Sequence, residues 1–427
     1  MKSVLTNSKP LKGEITVGPD KSISHRGVIL SSVADGEGIV KNYLHSEDIF
    51  STINCMNMLG VDIKITPEKL IIKGKGLNGL KEPNQVLDCG NSGTTMRLLS
   101  GVLASNKFFS VMSGDSSLNN RPMKRVIEPL KTMGVQVYAR EDNYAPIAIQ
   151  GSEQINGIEY RLPVASAQVK SSLILAGLKA NSPSTIIEPA KTRDHTERML
   201  KAMGADINQE GLQIKLNPVD ELKPQEFIVP ADISSAAFFI VAALIVKGSE
   251  LKIREVGINS TRAGLINVLL NMGANIKLEN EQIIGGEPVA DIIVSYSQLK
   301  ATDISGDIIP TLIDELPILA VAMATAEGES KVTGASELRV KETDRIKSTC
   351  SELQKIGVNI KELEDGFTVK GPNKLKGATV ESYKDHRIAM SLAIAALIAE
   401  GEMLINDSEA VSISFPEFWD ILNSAIK

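Results

Sequence analysis

The sequence predicts an α/β protein of two domains, built from six βαβαββ-like repeats with three in each domain. Three observations predict it. One kind of helical stretch, rich in small residues and apolar on nearly every side, occurs six times, at residues 24–33, 94–104, 169–178, 234–246, 313–325 and 386–399. A helix that is apolar all round belongs inside a core. A second kind ends in a glycine that a strand-like run follows: Leu59-Gly60-Val61, Met133-Gly134-Val135, Met203-Gly204-Ala205, Met272-Gly273-Ala274 and Ile356-Gly357-Val358. Glycine is expected just past a helix C-terminus, where the chain turns left-handed. The two kinds alternate with a period of roughly 70 residues, which marks a repeat architecture.

The sixth copy of the second helix, residues 416–426, stops before a glycine and strand, while residues 2–17 are strand-like without a repeat of their own. The economical arrangement lets the N-terminal strands complete the C-terminal domain. The expected domains are therefore 18–229 and a discontinuous 1–17 plus 230–427. The chain crosses at Gly18-Pro19 and near Val229-Pro230, and these crossings would serve as a hinge beside a ligand-binding cleft.

Composition narrows the function. With 427 residues, 43% of them hydrophobic and 23% charged, the chain is globular and long enough for a sizeable core. Aromatics at 4% and a net charge of −6 argue against a nucleic-acid surface, so an anionic ligand would need a local cluster of cations. Cys55, Cys89 and Cys350 are isolated from one another and from metal-ligand spacings, which suggests neither a metal nor a disulfide framework. No cationic segment leads into an apolar one at the start, and the apolar runs are too short to span a bilayer. A cytoplasmic protein without membrane contact is expected.

Taken in order, the helix starts are unusual. The apolar helices are preceded or opened by Lys21-Ser22-Ile23-Ser24-His25-Arg26, Asn91-Ser92-Gly93-Thr94, Ser166-Ala167-Gln168-Val169-Lys170, Ala231-Asp232, Asp314-Glu315 and Asp385-His386-Arg387. The others are opened by Glu47-Asp48, Arg121-Pro122, Thr192-Arg193-Asp194-His195, Thr261-Arg262, Lys341-Glu342-Thr343-Asp344-Arg345 and Ser414-Phe415-Pro416. A helix N-terminus carries partial positive charge, so each cation there costs about 0.3–1 kcal/mol. Placing Lys and Arg there repeatedly makes sense if the helix ends share a face that binds anions. Within this set Arg262 is expected to be merely solvated, and the histidines His25, His195 and His386 to pack or cap.

Lys21-Ser22 with Arg26, Asn91-Ser92-Gly93-Thr94, Arg121-Pro122-Met123, Arg339-Val340-Lys341-Glu342-Thr343-Asp344-Arg345 and Asp385-His386-Arg387 together resemble the 3-phosphoshikimate 1-carboxyvinyltransferase (EPSP synthase) family, in order and over essentially the whole chain. The resemblance implies the enolpyruvyl transferase-like fold, a two-domain inside-out α/β barrel of three repeats per domain. It implies transfer of the enolpyruvyl group of phosphoenolpyruvate to the 5-hydroxyl of shikimate 3-phosphate, releasing phosphate, with no metal or organic cofactor and a monomeric chain. By the same resemblance Lys21, Gly93, Arg121, Gln168, Arg345 and Arg387 would hold phosphoenolpyruvate. Lys21, Ser22, Arg26, Ser166, Ala167, Gln168, Arg193, Asp314 and Lys341 would hold shikimate 3-phosphate. Asp314 and Glu342 would form the acid–base pair, with Lys21 assisting the leaving phosphate.

Three positions depart from the common pattern of that family. Ile413 stands where a phosphoenolpyruvate-binding lysine is usual. Ala167 removes a hydroxyl from the phosphate site. Arg193, in Thr192-Arg193-Asp194-His195, resembles a second branch of the family in which an arginine meets that phosphate, and Lys170 is either a further contact or solvated. The rival within the fold is UDP-N-acetylglucosamine 1-carboxyvinyltransferase, which uses a cysteine on the loop before the Arg-Pro pair. Here that loop, residues 113–120, has none. A non-catalytic two-lobed anion-binding protein would have no need for both Asp314 and Glu342.

Overall fold

The computed structural model describes Lys2–Val4, as a backbone strand, and residues 9–427. Two compact domains result. Lys21–Val229 is continuous, and the residues up to Asp20 join Pro230–Lys427 in a split domain. Gly18-Pro19-Asp20 go with the split domain, so the chain crosses three residues later than expected. The reason is local pairing inside that domain: the Asp20 amide donates to the Pro230 carbonyl at 2.8 Å and the Asp232 amide to the Gly18 carbonyl at 2.9 Å.

The continuous domain carries helices α1 (Lys21–Ser32), α2 (Glu47–Met58), α3 (Gly93–Ala104), α4 (Lys124–Thr132), α5 (Ala167–Gly177) and α6 (His195–Ala202). Its three sheets share one pattern. Leu87–Asp88 pairs parallel with Phe109–Ser113, which continues antiparallel to Tyr144–Gln150 and then Gln136–Arg140. Glu159–Arg161, Ser184–Ile187, Gln213–Leu216 and Ile207–Glu210 repeat the order. In the remaining sheet the parallel strand is Glu226–Ile228, the last of the domain, lying beside Glu37–Lys41, then Lys69–Lys73 and Asp62–Ile65. The end of this domain's chain thus pairs with its beginning.

The split domain carries α7 (Ile233–Ile245), α8 (Gly264–Asn271), α9 (Leu316–Thr325), α10 (Arg345–Lys355), α11 (His386–Ala396) and α12 (Phe418–Ala425). Lys12–Ile15 opens its first sheet, parallel to Glu250–Gly257. Asp303–Ile304 plays that part beside Gly328–Val332, and Thr379–Glu381 beside Met403–Asn406. The last sheet has three strands, and its third is Lys2–Val4, antiparallel to Met403–Asn406. The N-terminal strand takes the place that the truncated sixth repeat leaves open. α12 is that repeat's second helix, and Phe418 packs against Phe238 and Phe239 of α7.

The two kinds of helix separate as their composition requires. All thirteen residues of α7 are buried, and α1, α3, α5, α9 and α11 are nearly as enclosed. Each domain has its own apolar cluster around its three inner helices. The glycines that end five of the outer helices have φ between 84° and 92°: Gly60, Gly134, Gly204, Gly273 and Gly357. That is the left-handed turn the repeat signature requires. Among the described residues no helix is long and apolar enough to cross a membrane.

Gly101 shows how tightly the inner helices approach. A Cβ there would land on the carbonyl oxygen of Ser172 in α5, with the carbonyl carbon 2.8 Å away. Gly101→Ala gains helix propensity but forces α3 and α5 apart, and overpacking of this kind costs ~1–3 kcal/mol. The variant should therefore unfold at lower urea concentration than the parent. An unchanged or raised midpoint would show that the pair can separate freely.

Candidate active site

In the continuous domain the starts of the inner helices meet. Ser92 caps α3 by accepting the Thr95 amide at 3.1 Å, and Ser166 caps α5 by accepting the Val169 amide at 3.4 Å. Gln168, in the first turn of α5, donates to Thr94 Oγ1 at 2.9 Å and accepts from Arg97 at 2.5 Å. Arg97 received no role from sequence. It lies one turn after Gly93 on the same helix face, and that spacing was the available signal. Arg121, 7% exposed, donates to Asn91 Oδ1 at 2.7 Å and to Ser117 at 3.2 Å. Asn91 in turn donates to Asp115 at 2.7 Å. The glycine loop is thereby tied to the arginine that follows the next strand.

Gly93 sits between two of these guanidinium groups. A Cβ would come within 2.9 Å of Arg97 Nη1 and 3.5 Å of Arg121 Nη1. Glycine here lets two cationic forks approach the backbone N–H groups at the start of α3, which suits an anion.

At the start of α1, Lys21 pairs with Asp48 of α2 at 3.1 Å. Arg26 is buried and ties three elements together, donating to Thr196 Oγ1 at 2.7 Å, the Ser22 carbonyl at 3.0 Å and Ser171 Oγ at 2.9 Å. Arg193 reaches the same place from the loop before α6, donating to Ser22 Oγ at 3.2 Å. Lys170 does not join this group as a solvated residue. It is fully buried between Glu188 at 3.2 Å and Glu197 at 2.7 Å. Burial pushes the Glu188 carboxyl above its ordinary range, and Lys170 and Thr192 offset that only in part.

The split domain gathers carboxylates together with cations. Asp314 accepts from Lys341 at 3.1 Å and from Arg345 at 3.3 Å. Arg345, at the start of α10, also donates to Glu342 at 2.5 Å and to Asp385 at 2.8 Å. Burial works against its charge, and Asp385, Glu342 and Asp314 more than offset it, leaving the guanidinium raised above its ordinary value. Arg387 donates to the Asp314 carbonyl at 2.9 Å and to Glu315 at 3.3 Å. Ser234, at the start of α7, donates to the same Glu315 carboxylate. Asp232, Asp344 and Asp385 cap α7, α10 and α11.

Arg262 corrects the sequence reading. It is 4% exposed and held by Asp232 at 3.0 Å, Ser234 at 2.7 Å and Asp20 at 3.9 Å. It is not solvated, because aspartates remote in sequence enclose it. Ile413 closes a short 3₁₀ segment, Ser408–Ile413, and brings no charge. Among the described residues no group of His, Cys, Asp and Glu is arranged to hold a metal ion.

His25 is buried inside a hydroxyl chain that reaches the glycine loop. Its Nδ1 lies 2.7 Å from Thr52 Oγ1, which lies 2.7 Å from Thr95 Oγ1, which donates to Ser92 Oγ at 2.7 Å. Its Nε2 is buried and has no hydrogen-bond partner among the described residues. Burial, and then Lys21 and Arg26, hold the imidazole well below its ordinary pKa of 6.5.

Comparison with known proteins is consistent over the full length. The family model described as EPSP synthase (3-phosphoshikimate 1-carboxyvinyltransferase) matches residues 5–422. The chain is 59% identical to the 3-phosphoshikimate 1-carboxyvinyltransferase of Syntrophomonas wolfei, with 99% of both chains covered. It is 53% identical to that of Thermodesulfovibrio yellowstonii at the same coverage. A solved EPSP synthase from Acinetobacter baumannii is similar at a TM-score of 0.88 and 45% identity, covering 99% of this chain and 98% of the other. The enolpyruvyl transferase NikO of Streptomyces tendae matches at a TM-score of 0.78 and 15% identity, covering 99% and 96%, which is a likeness of fold.

The environment of His25 sets a pH dependence. Its folded pKa lies below 6.5, so between those two values the unfolded chain binds the proton that the folded chain refuses. Stability must therefore fall as pH drops below the unfolded value, by up to about 1.4 kcal/mol per unit. His25→Gln should flatten the difference in urea stability between pH 7 and pH 5. Equal pH slopes for parent and variant would show that His25 titrates normally.

Proposed function

This chain belongs to the EPSP synthase (3-phosphoshikimate 1-carboxyvinyltransferase) family, and from that premise we propose how its own residues divide the work. The activity is transfer of the enolpyruvyl group of phosphoenolpyruvate to shikimate 3-phosphate, a step of the shikimate pathway.

One contrast carries the division. In the continuous domain α1, α3 and α5 begin without an acidic residue in the first turn, and α3 and α5 are capped by serine. Lys21, Arg97, Arg121 and Arg193 surround those starts. In the split domain the corresponding α7 and α11 are capped by aspartate, and Asp314 and Glu315 precede α9. The inner helices α3 and α5 of the continuous domain are capped by neutral hydroxyls, and the split domain sets carboxylates at the corresponding places.

Ser22, Ser166, Gln168, the Ala167 amide and Arg193 hold shikimate 3-phosphate, with Arg193 on its phosphate. Lys341 and Asp314 serve the same substrate from the split domain. Gly93, Arg121 and Gln168 receive phosphoenolpyruvate, and Arg345 and Arg387 serve its charges. Arg26 and Arg345 are nearly enclosed, so their larger part is to hold Ser22, and to hold Asp314 with Glu342, in register.

Addition forms the bond from the 5-oxygen to C2 of phosphoenolpyruvate while the hydroxyl proton leaves and a proton reaches C3. Elimination returns the C3 proton to a base as the C2–phosphate bond breaks. Asp314 and Glu342 exchange these protons between them, and Lys21 neutralises the departing phosphate oxygen.

Glu342→Gln should leave shikimate 3-phosphate binding nearly intact and lower turnover by roughly 10²–10⁴-fold. Near-normal phosphate release in steady-state assay would remove Glu342 from the acid–base pair. Arg193→Ala should weaken shikimate 3-phosphate by ~1.5–3 kcal/mol, the range for a hydrogen bond to a charged group, and leave unphosphorylated shikimate unchanged. Calorimetry with both acceptors decides it, since equal loss for the two would detach Arg193 from the phosphate.

A further inference from the structure

Lys170 and Glu188 are fully buried, Glu197 nearly so, and the chemistry above uses none of them. They come from three elements: Lys170 from the second turn of α5, Glu188 from the end of the strand Ser184–Ile187, and Glu197 from the first turn of α6. Taking three charges out of water is expensive, and a well-packed apolar trio is often at least as stable. Stability alone therefore gives this cluster little reason to be ionic.

What the cluster holds is Thr192, the residue before Arg193. Glu188 Oε1 accepts the Thr192 amide at 3.2 Å and also the Thr192 hydroxyl. Lys170 Nζ donates to the Thr192 carbonyl at 3.4 Å and to Glu188 Oε2 at 3.2 Å. Every polar atom of Thr192 is thus gripped by one fully buried ion pair. Its carbonyl belongs to the peptide that leads into Arg193, so gripping amide and carbonyl together fixes the direction in which the Arg193 side chain leaves the loop. Glu188 is itself anchored, its amide donating to the Leu212 carbonyl at 2.9 Å. Glu197 Oε1 stands 2.7 Å from Lys170 Nζ on the far side and keeps the ammonium in place between two carboxylates.

We propose that the buried Lys170–Glu188 pair, steadied by Glu197, is a positioning device that aims Arg193 at the phosphate of the acceptor and so sets the preference for a phosphorylated over an unphosphorylated acceptor. The proposal rests on the reading of Arg193 as the phosphate ligand. A forked guanidinium binds two oxygens only when its plane is aimed, so a loop free to turn at Thr192 loses the bidentate contact while the rest of the site stands. Lys170 and Glu188 act through Arg193 and touch no substrate.

The test uses the whole chain with Lys170→Met, Glu188→Gln and Thr192→Val, each alone and combined with Arg193→Ala. In the Arg193 background each of the three should raise the KM for shikimate 3-phosphate by about 3–30-fold, within the range for residues sharing one network. The KM for phosphoenolpyruvate and the activity on unphosphorylated shikimate should stay as they are. In the Arg193→Ala background the same substitutions should change nothing further. A general loosening of the domain would instead raise both KM values and lower kcat together.

If Lys170→Met fails to fold, the near-isosteric Glu188→Gln and Thr192→Val carry the test. An unchanged KM for shikimate 3-phosphate in those two, or an effect that persists without Arg193, overturns the positioning role. If Arg193→Ala alone spares shikimate 3-phosphate, the fault lies in the reading of Arg193, and the single variant reports that separately.

Discussion

Bringing several helices together with their N-termini at one place concentrates partial positive charge, roughly half an elementary charge per helix. In each domain this convergence is visible as direct contact between helix starts. Gln168 of α5 bonds Thr94 of α3, and Ser234 of α7 bonds Glu315 ahead of α9. Such a gathering is unfavourable until something negative answers it. The split domain answers with its own side chains, capping with Asp232, Asp344 and Asp385 and setting Asp314 and Glu342 against Arg345. In the continuous domain the inner helices α3 and α5 are capped instead by the neutral hydroxyls of Ser92 and Ser166. The same fold, repeated, is tuned to two electrostatic states.

That constraint also explains which arginines are enclosed. Arg345 can be buried because Asp385, Glu342 and Asp314 together outweigh the cost of its desolvation. Arg262 is enclosed on the same terms by Asp232, Asp20 and Ser234. Arg121, also buried, has the amide oxygen of Asn91 and the hydroxyl of Ser117 among its partners.

The repeats were legible because their signals are local. A glycine after an amphipathic helix reports a left-handed turn without reference to anything distant, and all five such glycines adopt it. The place of the N-terminal strand followed from the truncated sixth repeat, which supplies only two strands of its sheet, the N-terminal strand adding a third. Partnership across the chain was illegible for the opposite reason. Arg262 finds Asp20, and Lys170 finds Glu188 and Glu197, through packing that no short window of sequence contains. Both were therefore open to misreading as surface cations. Arg97 was overlooked although its helical spacing from Gly93 was visible, because no charge pattern singled it out.

The division between the domains has a chemical logic of its own. Proton transfer needs carboxylates whose protonation can change; Asp314 and Glu342, proposed for that part, both accept from Arg345, and Asp314 also from Lys341. Holding a phosphate needs donors that do not change, placed where no carboxylate competes for them. The starts of α3 and α5 are capped by the hydroxyls of Ser92 and Ser166 and carry no acidic residue in their first turns. At Glu188 and Glu197 the continuous domain buries its carboxylates against Lys170, where they brace the loop that leads into Arg193.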